Sequence, residues 1–371
     1  MMSLNNAPVK ILDLTPAQLK EFLKLLGAPV AAADQISKYI YHEFAAGFDE
    51  MTGLNVALRR KLARYAVLCA LDPLEELVAA DAQTRKILFR LEDNNTIESA
   101  LMFFRNSGTG RERRTVCVSS QVGCAVGCRF CATGQQGFVR NLSMGEILQQ
   151  ILFFQRRFRG EMAVPGKGEK PAWVTNIVFM GMGEPLANYD NVCRAIAVLN
   201  SPKGLGLGFH QVTLSTAGLV PQIRQITEEK LQFQLAVSLH AANDELRNRL
   251  VPINRKYPLE QLISACKGYV KKTSRNIFIE YALFAGINDA MKDADELIRL
   301  LDGLQCSINL ILGNSVPASD FRPSPREKAL VFQKKLIASG TRTMLRVSRG
   351  ADIEAGCGQL RSRRLANQAH A

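Results

Sequence analysis

The chain lacks any apolar run near the ~20 residues that a membrane-spanning helix needs. Its first ten residues, Met1 to Lys10, lack the pattern of a secretory signal. Neither membrane insertion nor export is expected, and the location read from these absences is cytoplasmic. Acidic charge is also short, with 34 Asp+Glu against 47 Lys+Arg and a formal net charge of +13. That balance favours a polyanionic partner such as nucleic acid, the plain alternative being a merely soluble basic surface. A disulfide framework is missing too: the nine cysteines are odd in number and unevenly placed, in a chain without secretory features. Hydrophobic residues make up 47% of the 371, enough for one large core and a smaller one.

Four of the cysteines, Cys69, Cys193, Cys266 and Cys306, stand among apolar neighbours and read as core. The other five do not. Cys124, Cys128 and Cys131 form a C-x3-C-x2-C run flanked by Gly123, Gly127 and Gly134. Clustered thiolates suit a soft metal. The missing fourth ligand is the informative absence. A structural zinc normally takes four protein ligands, whereas a [4Fe–4S] cluster held by three cysteines keeps one iron open. A zinc knuckle with a distant fourth ligand, or three free thiols, are the alternatives. Cys357 lies between Gly356 and Gly358 after the last predicted strand, an unusual setting for a packed thiol, and reads as reactive. Its candidate partner is Cys117, placed at the start of the first strand of the catalytic domain.

Residues 1–72 read as a small helical unit. Thr15-Pro16-Ala17-Gln18 offers a capping box with proline at the first helical position, and Leu19, Phe22, Leu23 and Leu26 repeat at helical spacing. Two more helices are predicted near 34–44 and 55–68. Residues 73–115 change to period two, with Ile87, Phe89 and Leu91 alternating with Lys86, Leu88 and Arg90. Asp93-Asn94-Asn95 turns that strand back into 96–104, giving a β-hairpin extension. Glu98 on the returning strand is either a partly buried general base or an edge charge. Over 116–350 strands and helices alternate, which predicts an α/β domain with a parallel sheet, a partial or full (β/α) barrel. Residues 351–371 form a tail. In such a barrel chemistry gathers after the strand C-termini. The cysteine loop, Gly181-Met182-Gly183-Glu184-Pro185, Ser215-Thr216-Ala217-Gly218 and His240 all fall there. Ser215, Ser238 and His240 are candidate ligand contacts or satisfied structural residues. Three basic clusters flank these segments: Arg105, Arg111, Arg113 and Arg114; Arg156, Arg157, Arg159, Lys167 and Lys170; and Arg342, Arg346, Arg349, Arg361, Arg363 and Arg364.

An aromatic, Phe130, directly before the last cysteine of the run resembles the signature of the radical S-adenosylmethionine (SAM) superfamily. Over nearly its whole length the chain resembles the RlmN-type RNA adenine methyltransferases of that superfamily, relatives of the Cfr type. The likeness rests on Cys117–Cys124, Cys128–Gly134, Gly181–Pro185, Leu214–Thr216, Ser238–His240, Val251–Asn254 and Ala355–Leu360. Two departures stand out: Asn314-Ser315 replaces the family's usual Asn-Pro, and the segment between Glu98 and Cys117 is longer than usual. The resemblance implies a radical-SAM barrel in which Cys124, Cys128 and Cys131 bind one [4Fe–4S] cluster. Gly183, Glu184, Ser215, Ser238, Leu239, His240 and Asn314 would contact SAM, two molecules of which are used per turnover. Cys357 would carry a methyl group to carbon 2 of an adenine in 23S rRNA or of the adenosine beside the tRNA anticodon. Cys117 would release the product, leaving a Cys117–Cys357 disulfide, and Glu98 would act as base. A monomer reduced by flavodoxin or ferredoxin is implied. The rivals are methylation at carbon 8, radical chemistry on another substrate such as a glycyl-radical enzyme, and a non-enzymatic RNA-binding metalloprotein.

Overall fold

A ten-stranded mixed sheet organises the computed structural model. The structure describes residues 7–361 apart from 69–70, 106–111, 162–173, 230, 317–318 and 347, without the side chains of 105 and 158–161. Of the residues singled out above, Cys69, Arg111, Lys167, Lys170, Arg363 and Arg364 lie outside the described residues, as do the side chains of Arg105 and Arg159.

The strands are β1 Asp72–Val78, β2 Thr84–Arg90, β3 Thr96–Arg105, β4 Glu112–Cys117, β5 Asn176–Phe179, β6 Val212–Thr216, β7 Gln234–Ser238, β8 Ile277–Leu283, β9 Cys306–Leu312 and β10 Thr343–Arg346. Their order in the sheet is their order in the chain. From β1 to β4 the neighbours run antiparallel, and from β4 to β10 parallel. The parallel part has helices between its strands: α4 Met144–Glu161, α5 Tyr189–Asn200, α6 Val220–Glu228, α7 Leu259–Thr273, α8 Met291–Leu300 and α9 Arg326–Ala338. This numbering follows α1 Pro16–Leu25, α2 Ala32–Tyr41 and α3 Val56–Tyr65. A short helix, Asp244–Leu250, was not expected from the sequence pattern. The alternating strands and helices bear out the α/β expectation. Ile177, Phe179, Leu214, Leu235, Val237, Ile279, Tyr281 and Leu310 are fully buried, as strands covered on both faces require.

The barrel is partial. Among the described residues β10 pairs with β9, and the far edge of β4 is taken by β3. The strands expected as a hairpin extension therefore continue the barrel's own sheet. Three details were not evident from the sequence pattern. Cys117 ends β4 rather than starting a strand, because pairing with β3 begins at Glu112. The first and last parallel strands are also not adjacent in the sheet, so Cys117 and Cys357 approach by another route, described below. Lys86, assigned by alternation to the face opposite Ile87, is only 2% exposed.

The N-terminal helices form as their caps dictate. Thr15 Oγ1 accepts the N–H of Gln18, and Gln18 Oε1 accepts that of Thr15. Leu19, Phe22, Ile36, Ile40, Leu58 and Leu62 make a second core. A two-residue parallel pairing of Val9–Lys10 with Ala66–Val67 closes this unit. The unit has a shared boundary with the barrel. Leu152 of α4 belongs to its core, and Arg156 of the same helix donates to the carbonyls of Phe44 and Ala45. Truncating Leu152, 1% exposed, should leave a cavity there. Leu152→Ala is expected to cost about 2–5 kcal/mol and to make the N-terminal unit unfold ahead of the barrel in urea. A single transition at the wild-type midpoint would contradict this docking.

Candidate active site

At the C-terminal ends of the parallel strands lies a cavity of about 950 Å³, counting its open mouth. Cys124, Cys128 and Cys131 line it, with Gly183, Glu184, Ser215, Ser238, His240, Asn314 and Cys357. The loop-placement argument thus brings together every predicted cofactor contact except Leu239. That side chain is fully buried in the core, and its backbone is already spent: N–H to the Glu280 carbonyl, C=O to Arg247.

The cysteine loop is held at both ends. Gln121–Gly123 pairs with Phe138–Asn141, and the Cys124 N–H bonds the Gly137 carbonyl. Burial pushes the Cys124 thiol up to about 12 and the Cys128 and Cys131 thiols upward as well. For Cys124 and Cys128 mutual repulsion within the trio adds to burial. Such a trio becomes anionic when cations bind it. Cys124, Cys128 and Cys131 line one cavity, and three soft donors there suit a cluster, in which each thiolate would bind its own iron.

Glu184 knits the mouth. Its two carboxylate oxygens accept the N–H groups of Leu186 (3.0 Å) and Ala217 (2.7 Å), joining the loop after β5 to the end of β6. Burial raises its carboxyl to about 7, and these bonds oppose the rise. Each oxygen keeps acceptor capacity for a ligand ammonium group. Gly183 has φ +101°, and a Cβ there would lie 2.6 Å from Gln121 Cβ. The glycine is therefore required by packing against the cysteine-loop stem as well as by access to a ligand.

His240 also has positive φ, +60°. Its Nδ1 accepts the Ala282 N–H at 3.0 Å, so the neutral ring carries its proton on Nε2. Burial, helped by Arg247, depresses the imidazole to about 3. Ser215 and Ser238 share a hydrogen bond of 3.2 Å between their hydroxyls.

Cys357 is an exposed residue on a firmly tied loop. Its carbonyl accepts from Asn314 Nδ2 (2.9 Å), and the Gly358 carbonyl accepts the Ala132 N–H (2.7 Å) beside the cysteine trio. A Cβ on Gly356 would come 2.6 Å from Asn314 Nδ2. Gly356 thus admits close packing, in a setting that the sequence marked as unusual for a packed thiol. Thr133 Oγ1 donates to the Leu360 carbonyl at 2.6 Å. Packing around the Cys357 thiol, then Glu280, raises it to about 11. Cys117, buried behind the cavity, is raised to about 12 by burial first and by Cys357 second. The two thiols are electrostatic neighbours because the tail crosses the open seam between β10 and β4.

Glu98 does not line the cavity. It is 1% exposed and ion-paired with Lys86 at 3.0 Å. The other carboxylate oxygen accepts the Arg361 N–H at 2.7 Å, while Lys86 Nζ donates to the Glu354 carbonyl at 3.1 Å. One buried ion pair therefore grips the tail on both sides of Cys357. Sequence reasoning missed Lys86, Glu280 and Arg247. Of the three only Glu280 carried a signal, as a lone charge inside the apolar run Ile277–Phe284. Arg247, fully buried, donates to the Leu239, Ser238 and Ala217 carbonyls and to Asn254 Oδ1, holding the ends of β6 and β7 together.

The family model of the Radical SAM superfamily matches residues 118–301, and that of the ribosomal RNA large subunit methyltransferase N-terminal domain matches residues 9–68. The chain is 44% identical over 353 residues to the "Probable dual-specificity RNA methyltransferase RlmN" of Moorella thermoacetica, covering 95% of this chain and 97% of that protein. The chain belongs to the RlmN family. With the Alcanivorax borkumensis "Dual-specificity RNA methyltransferase RlmN" it shares 41% identity, over 95% of this chain and 90% of that one. A radical SAM methyltransferase structure from Sphaerobacter thermophilus superposes with a TM-score of 0.88 at 45% identity, covering 95% and 99% of the two chains. RlmN membership makes this a radical-SAM RNA methyltransferase, with SAM and a [4Fe–4S] cluster as the implied cofactors. It removes the non-enzymatic and activase readings.

The ion pair can be tested directly. Lys86→Met leaves a buried carboxylate with its cation gone, which should cost about 3–5 kcal/mol. Lys86→Met with Glu98→Leu should recover most of that loss in urea unfolding. A single Lys86→Met variant within about 1 kcal/mol of wild type would show that the pair does not bind the tail to the sheet.

Proposed function

We propose that the enzyme methylates carbon 2 of an adenine in RNA, the substrates being 23S rRNA and the adenosine beside the tRNA anticodon, with the methyl group carried on Cys357. The observation that carries this reading is the position of Cys357. It is strapped to the cysteine-trio loop on one side and has Cys117 as its electrostatic neighbour on the other. Carbon 2 of adenine is too poor a nucleophile for polar methyl transfer, so a cofactor-derived radical must supply the hard step. Cys124, Cys128 and Cys131 would hold the one cluster. Glu184 would accept hydrogen bonds from the SAM ammonium group. His240 Nε2–H and the two serine hydroxyls would serve its carboxylate and ribose, with Gly183 and Asn314 shaping the cleft.

The Cys357 sulfur takes a methyl group from one SAM by displacement, losing its thiol proton. After a hydrogen atom is removed from that methyl group with a second SAM, the carbon bonds to carbon 2 of the base. Protein and RNA are then joined through Cys357. Glu98, the base that the family resemblance implies, is buried on Lys86 and does not line the cavity, so taking the proton on carbon 2 would require that ion pair to open. The odd-electron adduct would give up one electron, returned to the cluster that supplied one to generate the radical, and the carbon-2 proton would leave. Cys117 as a thiolate would attack the Cys357 sulfur, the electron pair of the breaking sulfur–carbon bond would stay on carbon and take up a proton to complete the methyl group, and a Cys117–Cys357 disulfide would remain. A target base stacked in RNA has to be turned out to reach this mouth. The reading includes a cytoplasmic monomer, reduced by a flavodoxin or ferredoxin.

The test uses the whole protein, reconstituted with iron and sulfide and incubated with SAM, a reductant and an rRNA fragment. Nucleoside analysis should give 2-methyladenosine. An iron-replete sample that yields 8-methyladenosine, or no methyladenosine, overturns the proposal. Cys117→Ala should accumulate RNA covalently held at Cys357, seen as a nuclease-sensitive mass shift. Variant protein that turns over substrate without retaining RNA rules out the releasing role.

A further inference from the structure

Most of the arginines that crowd the sequence near the cysteine motifs are already occupied. Arg114 pairs with Glu112, Arg157 with Glu76, and Arg156 is committed to two carbonyls of the N-terminal unit. Three are left over in one place. Phe104 on β3 is the cross-strand partner of Arg113 on β4, whose guanidinium lies 4.6 Å from the ring centroid. Arg349, arriving just after β10, covers the same ring at 4.7 Å and also donates to Gln83. Arg346 is the last residue of β10. It is an electrostatic neighbour of Arg113, of Glu280 and of Cys357. None of the three has a carboxylate within ion-pair distance among the described residues, and Arg113 and Arg346 are exposed. The Arg113 guanidinium is pulled below its ordinary value, first by partial desolvation and then by Arg346 and Arg349.

Like charges held together are costly, and here the carboxylate near them, the buried Glu280, neighbours Arg346 without forming an ion pair, so the cluster has capacity for an anion. Contact with Phe104 holds two guanidinium groups at one ring, and the N–H donors that remain beside the Arg349 bond to Gln83 suit contact with phosphate. The ring has a cation assigned to it twice over, so it is not a free platform for a nucleobase. A phosphate is the better occupant.

We propose that Arg113, Arg346 and Arg349, at the open seam between β4 and β10, form a phosphate subsite for the RNA backbone. It would hold the nucleotide adjoining the base delivered to Cys357. The inference rests on the RNA-methylation reading and adds the point at which the strand is gripped as its base enters the mouth. Phosphate contacts of this kind set register and orientation and leave base choice to the pocket.

The experiment measures binding of the same rRNA fragment to full-length protein over a range of salt concentrations, without requiring catalysis. Replacing all three arginines by Gln should weaken binding at least about tenfold at moderate salt and lower the slope of log K against log salt by about 1 or more. Replacing all three by Lys should hold the slope near wild type, which separates lost charge from lost fold. Should the triple Gln variant not fold, Arg346→Gln alone, at an exposed position, should lower the slope by up to about 1. Wild-type affinity and slope in the Gln variant overturn the subsite. So does weaker binding at an unchanged slope, the mark of an uncharged contact. Tight salt-dependent binding with no methylation would sink the catalytic reading while leaving this inference standing.

Discussion

A carboxylate with 1% of its surface exposed cannot stay unpaired in a protein interior, and Glu98 meets that requirement with Lys86 and the N–H of Arg361. Much of the mouth's geometry depends on this. The tail bearing Cys357 belongs to no strand, so it has no ladder to hold it. It is fixed at residues 354 and 361 by the ion pair, at 357 by Asn314, and at 358 and 360 by the cysteine-trio loop. Loss of the pair would remove the ties on both flanks of Cys357 at once.

The partial barrel explains why such a tail is needed. A closed barrel would place the first and last parallel strands side by side and leave no passage between them. Here β3 occupies the outer edge of β4, and β10 has no partner beyond β9 among the described residues. The tail fills the seam. It brings Asp352 to the Ala80 N–H, Arg349 to Phe104, and Cys357 to the neighbourhood of Cys117. The seam is therefore both the structural gap in the sheet and the place where the chain's two outlying cysteines meet.

Sequence patterns revealed the architecture where period and punctuation are local. The capping box at Thr15, the βα alternation from β4 onward and the loops carrying Gly183, Glu184, Ser215 and His240 all follow from short-range rules. What escaped was long-range pairing. Alternation along β2 set Lys86 on the face opposite Ile87, but period two cannot tell that this second face is covered as well, by the chain's own tail. The glycines around Cys357 likewise read as an unusual setting for a packed thiol. Only the approach of Asn314, distant in sequence, shows that Gly356 is small to admit a neighbour. Leu239 was carried with Ser238 and His240 as a contact, yet a strand's pleat turns adjacent side chains to opposite faces, and its own is in the core.

The two thiols illustrate how burial can order a reaction. Cys357 is held near 11, chiefly by the protein packed around it and then by Glu280, so at neutral pH it rests as a thiol. A sulfonium brought beside it supplies the positive charge that favours the thiolate, and on the proposed chemistry the methyl donor is itself such a cation. Cys117 is raised mainly by burial and next by Cys357. At neutral pH both thiols are uncharged and exert no repulsion on each other, so loading a methyl group would leave the resting state of Cys117 unchanged. On the proposed chemistry, burial therefore holds both sulfurs protonated until a partner arrives, a cationic methyl donor for Cys357 and, for Cys117, a base that takes its proton as it attacks.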